Sequence, residues 1–187
     1  MATSTRCGQA RTQPVSHVPR VATTAPAGIV VRGRGATSGG GQLSASGERG
    51  TAWEQAYPGD EGQLMCLRAE FRPLLRDCPM ADDVILLMSE LGGNAVRHSR
   101  SRQAGGTFTA RLLDVPGQYV LGEVEDGGSD WSGDLQRSAR DASGLDLLLK
   151  LSDACGVSGD ASRRVVWFRL RYPAGSARPA GWAGGTQ

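Results

Sequence analysis

The chain has 187 residues, of which 39% are hydrophobic, and a formal net charge of +2, so it can hold one ordinary hydrophobic core. It contains one lysine and two histidines, and it lacks a Walker A phosphate loop, the HExxH motif of zincins and the GxSxG turn of serine hydrolases. No apolar run is long enough for a membrane span or a secretory signal, so we expect a soluble, cytoplasmic protein.

Residues 1–50 contain no aromatic side chain and are rich in Gly, Ala, Ser, Thr and Pro. Such a composition can bury little apolar surface, so we expect a disordered tail. Its six arginines stand against one glutamate, but they are scattered and have no aromatic residues between them. Direct binding to nucleic acid is therefore not expected. Residues 174–187 return to Gly, Ala and Pro, and we expect a second disordered tail there.

The four cysteines, at positions 7, 66, 78 and 155, give no sign of a metal site. They form no CxxC pair, and none has the spacing to a histidine that a structural zinc ion requires. We expect reduced thiols.

The first half of the ordered region, residues 51–173, is predicted to form a strand followed by two helices. Weak alternation indicates the strand at 51–57, and apolar spacing indicates helices over 61–76 and from about residue 81 onward. Two aspartates favour the start of the second helix through its dipole. That helix is expected to bury a stripe made of Val84, Ile85, Leu87, Met88 and Leu91.

The second half is predicted to form a hairpin, a variable stretch, a helix and a last strand. These span 107–113 with 119–125, then 127–142, then 144–154, then 164–172. The expected fold class is α+β, a two-layer sandwich in which helices cover one face of a mostly antiparallel sheet.

Glu90, Asn94 and His98 lie four residues apart and therefore along a single face of the second helix. Such a row is often only a solvated surface with weak side-chain pairs. It can also present an acid, an amide and an imidazole for chemistry. His98 could approach a phosphate or cap the end of the helix, and we favour capping.

Two glycine turns accompany this helix. Asp126-Gly127-Gly128 follows the second hairpin strand, and Ser143-Gly144-Leu145 opens the leucine-rich helix. Each alone is typical of an ordinary turn or cap. Together with the segment from Glu90 to His98, in this order, they make residues 51–173 resemble the GHKL (Bergerat-fold) ATP-binding superfamily, and within it the regulators related to anti-sigma factor serine/threonine kinases.

The resemblance implies an ATP-dependent protein kinase that requires Mg²⁺ and phosphorylates a small regulatory protein. Asn94 would hold Mg²⁺ through its carbonyl oxygen, which is a suitable hard ligand. Glu90, one turn earlier, would act as general base toward a hydroxyl or water. The implied partners are a sigma factor or an anti-sigma antagonist protein, with a homodimer as a candidate assembly.

The two glycine turns would bind the nucleotide itself. The resemblance implies that Asp126 accepts a hydrogen bond from the adenine amino group and that Gly128 lets the backbone approach the base. Gly144 and Leu145, at the start of the next helix, would hold phosphate oxygens with backbone N–H groups. Arg97, Arg137 and Arg140 are cations that could reach phosphate, or could simply be solvated.

The match departs from the family pattern in three places. Asp130 stands where the first glycine box commonly ends in glycine, and Ala142 or Ser143 stands where the second box often has another. A threonine that helps hold the adenine-binding aspartate is replaced, in our alignment by Val165. A regulator that binds a partner without catalysis is therefore the alternative. A histidine-kinase module is less favoured, because the chain lacks a dimerisation helix pair with a phospho-acceptor histidine.

Overall fold

The computed structural model describes residues 13–15, 30–31, 50–129 and 143–176. In chain order the elements are β1 (Gln13–Val15), β2 (Val30–Val31), β3 (Gly50–Pro58), α1 (Gln63–Leu74), α2 (Ala81–His98), β4 (Thr107–Val115), β5 (Tyr119–Asp126), α3 (Ser143–Leu151), β6 (Ala154–Gly159) and β7 (Arg164–Arg171). A short 3-10 helix at Arg100–Arg102 follows α2.

One antiparallel sheet organises these elements. Its five longer strands run in the order β3-β4-β5-β7-β6, and the short strands β1 and β2 extend it at opposite edges. Together with the helices this confirms the α+β class and the antiparallel sheet. Most of the predicted N-terminal tail lies outside the described residues, and so does the predicted C-terminal tail beyond residue 176.

The helices pack against one face of the sheet, and the core lies between the two layers. Alternate residues of β3, β4, β5 and β7 join apolar side chains of α1, α2 and α3 in one cluster. A Cβ added at Gly122 of β5 would stand 2.8 Å from the Sδ atom of Met88 and would overlap the ring of Phe168. Gly122 thus allows α2 to lie close to the centre of the sheet.

The predicted helix at 144–154 is too long, and the structure has a strand that the sequence pattern did not indicate. Helix α3 ends at Leu151, and Ala154 begins β6, which pairs with β7 throughout its length. The segment Ala154–Gly159 contains two glycines and a serine, so it has little intrinsic strand preference. Pairing with the apolar strand β7 decides its conformation.

The cysteines only partly match the expectation of reduced thiols. Cys78 and Cys155 are buried thiols outside any disulfide, as expected, but Cys66 is disulfide-bonded. Among the helices that the structure describes, none combines the length and apolar character needed to cross a membrane.

The opposite face of the sheet carries a charged row at its centre. Glu54, Arg111 and Glu123 are neighbours on β3, β4 and β5. Arg111 donates hydrogen bonds to Glu54 at 2.6 Å and to Glu125 at 3.0 Å. Burial raises the pKa of the Glu123 carboxyl above its ordinary value, and the nearby Arg111 only partly offsets this effect.

Candidate functional site

Helix α2 carries the Glu90, Asn94 and His98 row, and it forms as its sequence pattern predicts. It begins at Ala81, and all five residues of the expected stripe are buried. Glu90 and Asn94 are half-buried beside that stripe, whereas His98 is exposed in the last turn. Glu90 and Asn94 are therefore partly shielded from solvent.

Serine side chains, rather than His98, organise the end of α2. The hydroxyl of Ser99 donates a hydrogen bond to the carbonyl of Ala95 at 2.7 Å, and its oxygen accepts one from the backbone N–H of Ser101 at 3.0 Å. Ser101, which is 1% exposed, donates to the carbonyl of Thr107 and accepts from the backbone N–H of Gly127. The end of α2 is thus tied to the turn that follows β5.

That turn holds Asp126, whose carboxylate is paired with an arginine that the sequence analysis did not single out. Arg164 donates to Oδ2 of Asp126 from Nη2 at 2.7 Å and from Nε at 3.1 Å. The other oxygen, Oδ1, accepts the backbone N–H of Gly128 at 2.8 Å. Asp126 and Arg164 are 5% and 9% exposed, so this ion pair is buried.

The strand register shows which residue of the last strand faces Asp126. The strand register places Arg164, not Val165, opposite Asp126, whereas Val165 lies opposite Glu125. Neighbouring strand residues face opposite sides of a sheet, so Val165 points away from the Asp126 side chain. The residue of β7 that bonds the aspartate is therefore Arg164.

The backbone conformation at position 128 and the atoms around it both require glycine. Its φ of +69° favours glycine. A Cβ there would also overlap the carbonyl oxygen of Ala161 and stand 2.8 Å from the carbonyl carbon of Ser162, in the turn between β6 and β7. The carbonyl of Gly128 accepts the backbone N–H of Arg100 at 2.9 Å. The turn is thus held between the end of α2 and the β6–β7 turn.

Gly144 brings the start of α3 against Glu90. A Cβ at Gly144 would overlap Oε2 of Glu90 and stand 3.1 Å from its Cβ. The side chain of Leu145, in contrast, is buried in the core. Only its backbone N–H, in the first turn of α3, is suited to a phosphate oxygen.

Asn94 has a buried amide nitrogen without a hydrogen-bond partner among the residues that the structure describes. An unpaired buried donor is costly, and a phosphate oxygen would supply the missing acceptor. Rotation of the amide by half a turn would present Oδ1 there instead, as a ligand for Mg²⁺. Among the described residues, no three or more His, Cys, Asp or Glu side chains form a group that could hold a metal ion.

The structure thus brings Glu90 and Gly144 into contact and joins Asp126 and Gly128 in one turn that is tied to the end of α2. Asp130, Arg137, Arg140 and Ala142 lie outside the described residues, and Arg97 is exposed. Comparison with models of known protein families and with curated proteins found no match to this chain.

Proposed function

We propose that the protein is an ATP-binding regulator of the GHKL superfamily with a Bergerat-type sandwich, and that it phosphorylates serine or threonine in a small antagonist protein of an anti-sigma pathway. The contact between Glu90 and Gly144 carries this proposal. It brings a carboxylate on one helix to the amino-terminal end of another, where backbone N–H groups attract phosphate. The order of the motifs along the chain is the second support.

In this proposal Glu90 accepts the proton of the attacking hydroxyl, as a half-buried carboxylate beside a phosphate site can do. The start of α3 binds phosphate oxygens through the N–H groups of Gly144 and Leu145. Asn94 binds Mg²⁺ or a phosphate oxygen. Bound Mg²⁺ would neutralise charge that develops on the phosphates, which is the main requirement of phosphoryl transfer.

Binding of MgATP by the full chain, measured by calorimetry, tests the site. We expect binding by the parent that Asn94→Ala weakens, while Gln103→Ala, which removes an exposed amide just beyond α2, leaves it unchanged. Equal affinities for the parent and Asn94→Ala would contradict the assigned role of Asn94.

Transfer of labelled phosphate from ATP to candidate small regulatory proteins tests the activity. Glu90→Gln should abolish transfer and leave MgATP binding nearly unchanged, because the amide cannot accept a proton. Glu61→Gln, an exposed carboxyl before α1, is the matched control. Transfer at the parent rate by Glu90→Gln would rule out Glu90 as the base.

One observation favours a second candidate, a regulator that binds a sigma factor or an antagonist without catalysis. Arg164 occupies Oδ2 of Asp126, the carboxylate that would receive adenine. If a folded parent binds no ATP at millimolar concentration, this candidate is preferred. It also predicts that Glu90→Ala still captures the partner. Homodimer formation remains a prediction of the family resemblance, and a cytoplasmic location remains a prediction from the sequence.

A further inference from the structure

The turn after β5 is held at both ends by one guanidinium. Arg164 bonds Asp126 through Nε and Nη2, and its Nη1 donates to the hydroxyl of Ser129 at 3.0 Å. The two partners lie on either side of Gly127 and Gly128. Arg164 therefore spans the whole turn.

The hydrogen bonds that Asp126 accepts can be counted against the number that its carboxylate is able to accept. An ionised carboxylate has about four acceptor positions and no donor. Arg164 uses two on Oδ2, and the N–H of Gly128 uses one on Oδ1. Among the described residues nothing takes the fourth position, which belongs to Oδ1.

We propose that Arg164 is a positioning residue that fixes Asp126 as a pure acceptor with one position that no described residue takes, so that the site selects a purine with an amino group at C6. This inference rests on the proposed function. Two N–H groups of Arg164 on Oδ2 and the N–H of Gly128 on Oδ1 together set the orientation of the carboxylate. A C6 amino group donates to the remaining position, whereas a C6 keto oxygen meets another acceptor and is repelled.

The same geometry explains why a glycine turn accompanies the pair. Gly128 donates its N–H to Oδ1 from a backbone with positive φ, and it is held there by the β6–β7 turn. Strand β7, which carries Arg164, begins directly after that turn. The arginine, the aspartate and the glycine are thus positioned by one pair of strands.

Calorimetric titration of the full chain with MgATP and MgITP tests the inference. ITP carries the keto oxygen at C6 and, with it, a proton on N1, and it is matched to ATP elsewhere. We expect the parent to bind ATP about 10- to 100-fold more tightly than ITP, as hydrogen bonds to charged groups allow. In Arg164→Met the ratio should fall toward one, mainly through loss of ATP affinity. Arg164→Lys, which keeps the charge but not the planar pair of N–H groups on Oδ2, should keep part of the preference with weaker ATP binding.

Arg163→Met is the matched control, because Arg163 is exposed and pairs with Glu125 instead. It should keep the parent ratio. Urea unfolding verifies that each variant is folded. If Arg164→Met does not fold, Arg164→Lys is the deciding variant. An ATP affinity of Arg164→Lys equal to that of the parent would overturn the inference. An unchanged ratio in folded Arg164→Met, or a gain in its ATP affinity, would also overturn it. If the parent binds neither nucleotide, the proposed function is refuted together with the inference. If the parent binds ATP but Arg164 does not affect the ratio, only the inference fails.

Discussion

The carboxylate of Glu90 lies against the α-carbon of Gly144, so a methyl group added at position 144 would overlap its Oε2 atom. This contact joins α2 to the start of α3. It exists because position 144 has no side chain. The overlap involves the far end of a flexible side chain, so an added methyl group is expected to displace Glu90 rather than to unfold the protein.

Gly144→Ala is therefore expected to couple energetically with Glu90→Ala. Alanine favours a helix over glycine by about 1 kcal/mol, but in the parent the overlap with Glu90 offsets part of that gain. In the Glu90→Ala background the full gain should appear, with a coupling energy of about 0.5–1 kcal/mol. Urea unfolding of the parent, both single variants and the double variant measures it. Additive effects would contradict the contact.

Asp126→Asn is expected to destabilise the protein strongly. Removing one partner of a buried ion pair leaves the guanidinium of Arg164 without its carboxylate, which costs about 3–5 kcal/mol. Asp146→Asn provides the control, since Asp146 pairs with Lys150 on the exposed surface of α3 and should change stability by less than about 1 kcal/mol. Chemical denaturation compares the two, and similar losses would mean that the Asp126–Arg164 pair contributes no more than a surface pair.

A comparison of Gly128→Ala with Gly105→Ala separates the stability cost of backbone conformation from the cost of close packing. Both glycines have positive φ, +69° and +78°, but a Cβ at Gly105 meets no atom within 4 Å. Gly105→Ala should cost about 1 kcal/mol for its conformation alone. Gly128→Ala should cost at least about 1 kcal/mol more, because the β6–β7 turn must also move. Thermal and urea unfolding report both values, and equal losses would show that the turn yields without cost.

Glu123→Gln is expected to stabilise the protein in a pH-dependent way. Burial raises the folded-state pKa of Glu123 above its ordinary value of 4.5, so ionisation disfavours the folded state. This cost is absent below the unfolded-state pKa, grows as the pH rises, and is complete above the folded-state pKa. Glu123→Gln should therefore be more stable than the parent at about pH 7.5, and its stability should differ little from that of the parent at about pH 4.

Urea unfolding at those two pH values measures the gain, with Glu54→Gln as the control. Glu54 is the exposed partner of Arg111, and its side chain is 63% accessible. A gain from Glu123→Gln that is the same at both pH values would show that the effect comes from packing rather than ionisation.

Local patterns in the sequence predicted most of the elements. The start of α2 and its buried stripe agree with the helical spacing of apolar residues, and the β4–β5 hairpin agrees with the turn residues between two apolar runs. The boundaries were less accurate, the short strands β1 and β2 were not predicted, and β6 was missed. Its glycines and serine carry no strong local preference, so only the neighbouring strand makes it extended.

By itself the sequence determined the α+β class and the placement of Glu90 and Asn94 on one helix face, because helical periodicity is a local property of the chain. Only the tertiary structure decided that Arg164 lies opposite Asp126, that the β6–β7 turn covers Gly128 and that Ser101 ties α2 to Gly127. These contacts join distant segments, and a shift of one residue in strand register would turn Arg164 to the other face of the sheet. The pairing of strands therefore determines which charge the aspartate meets.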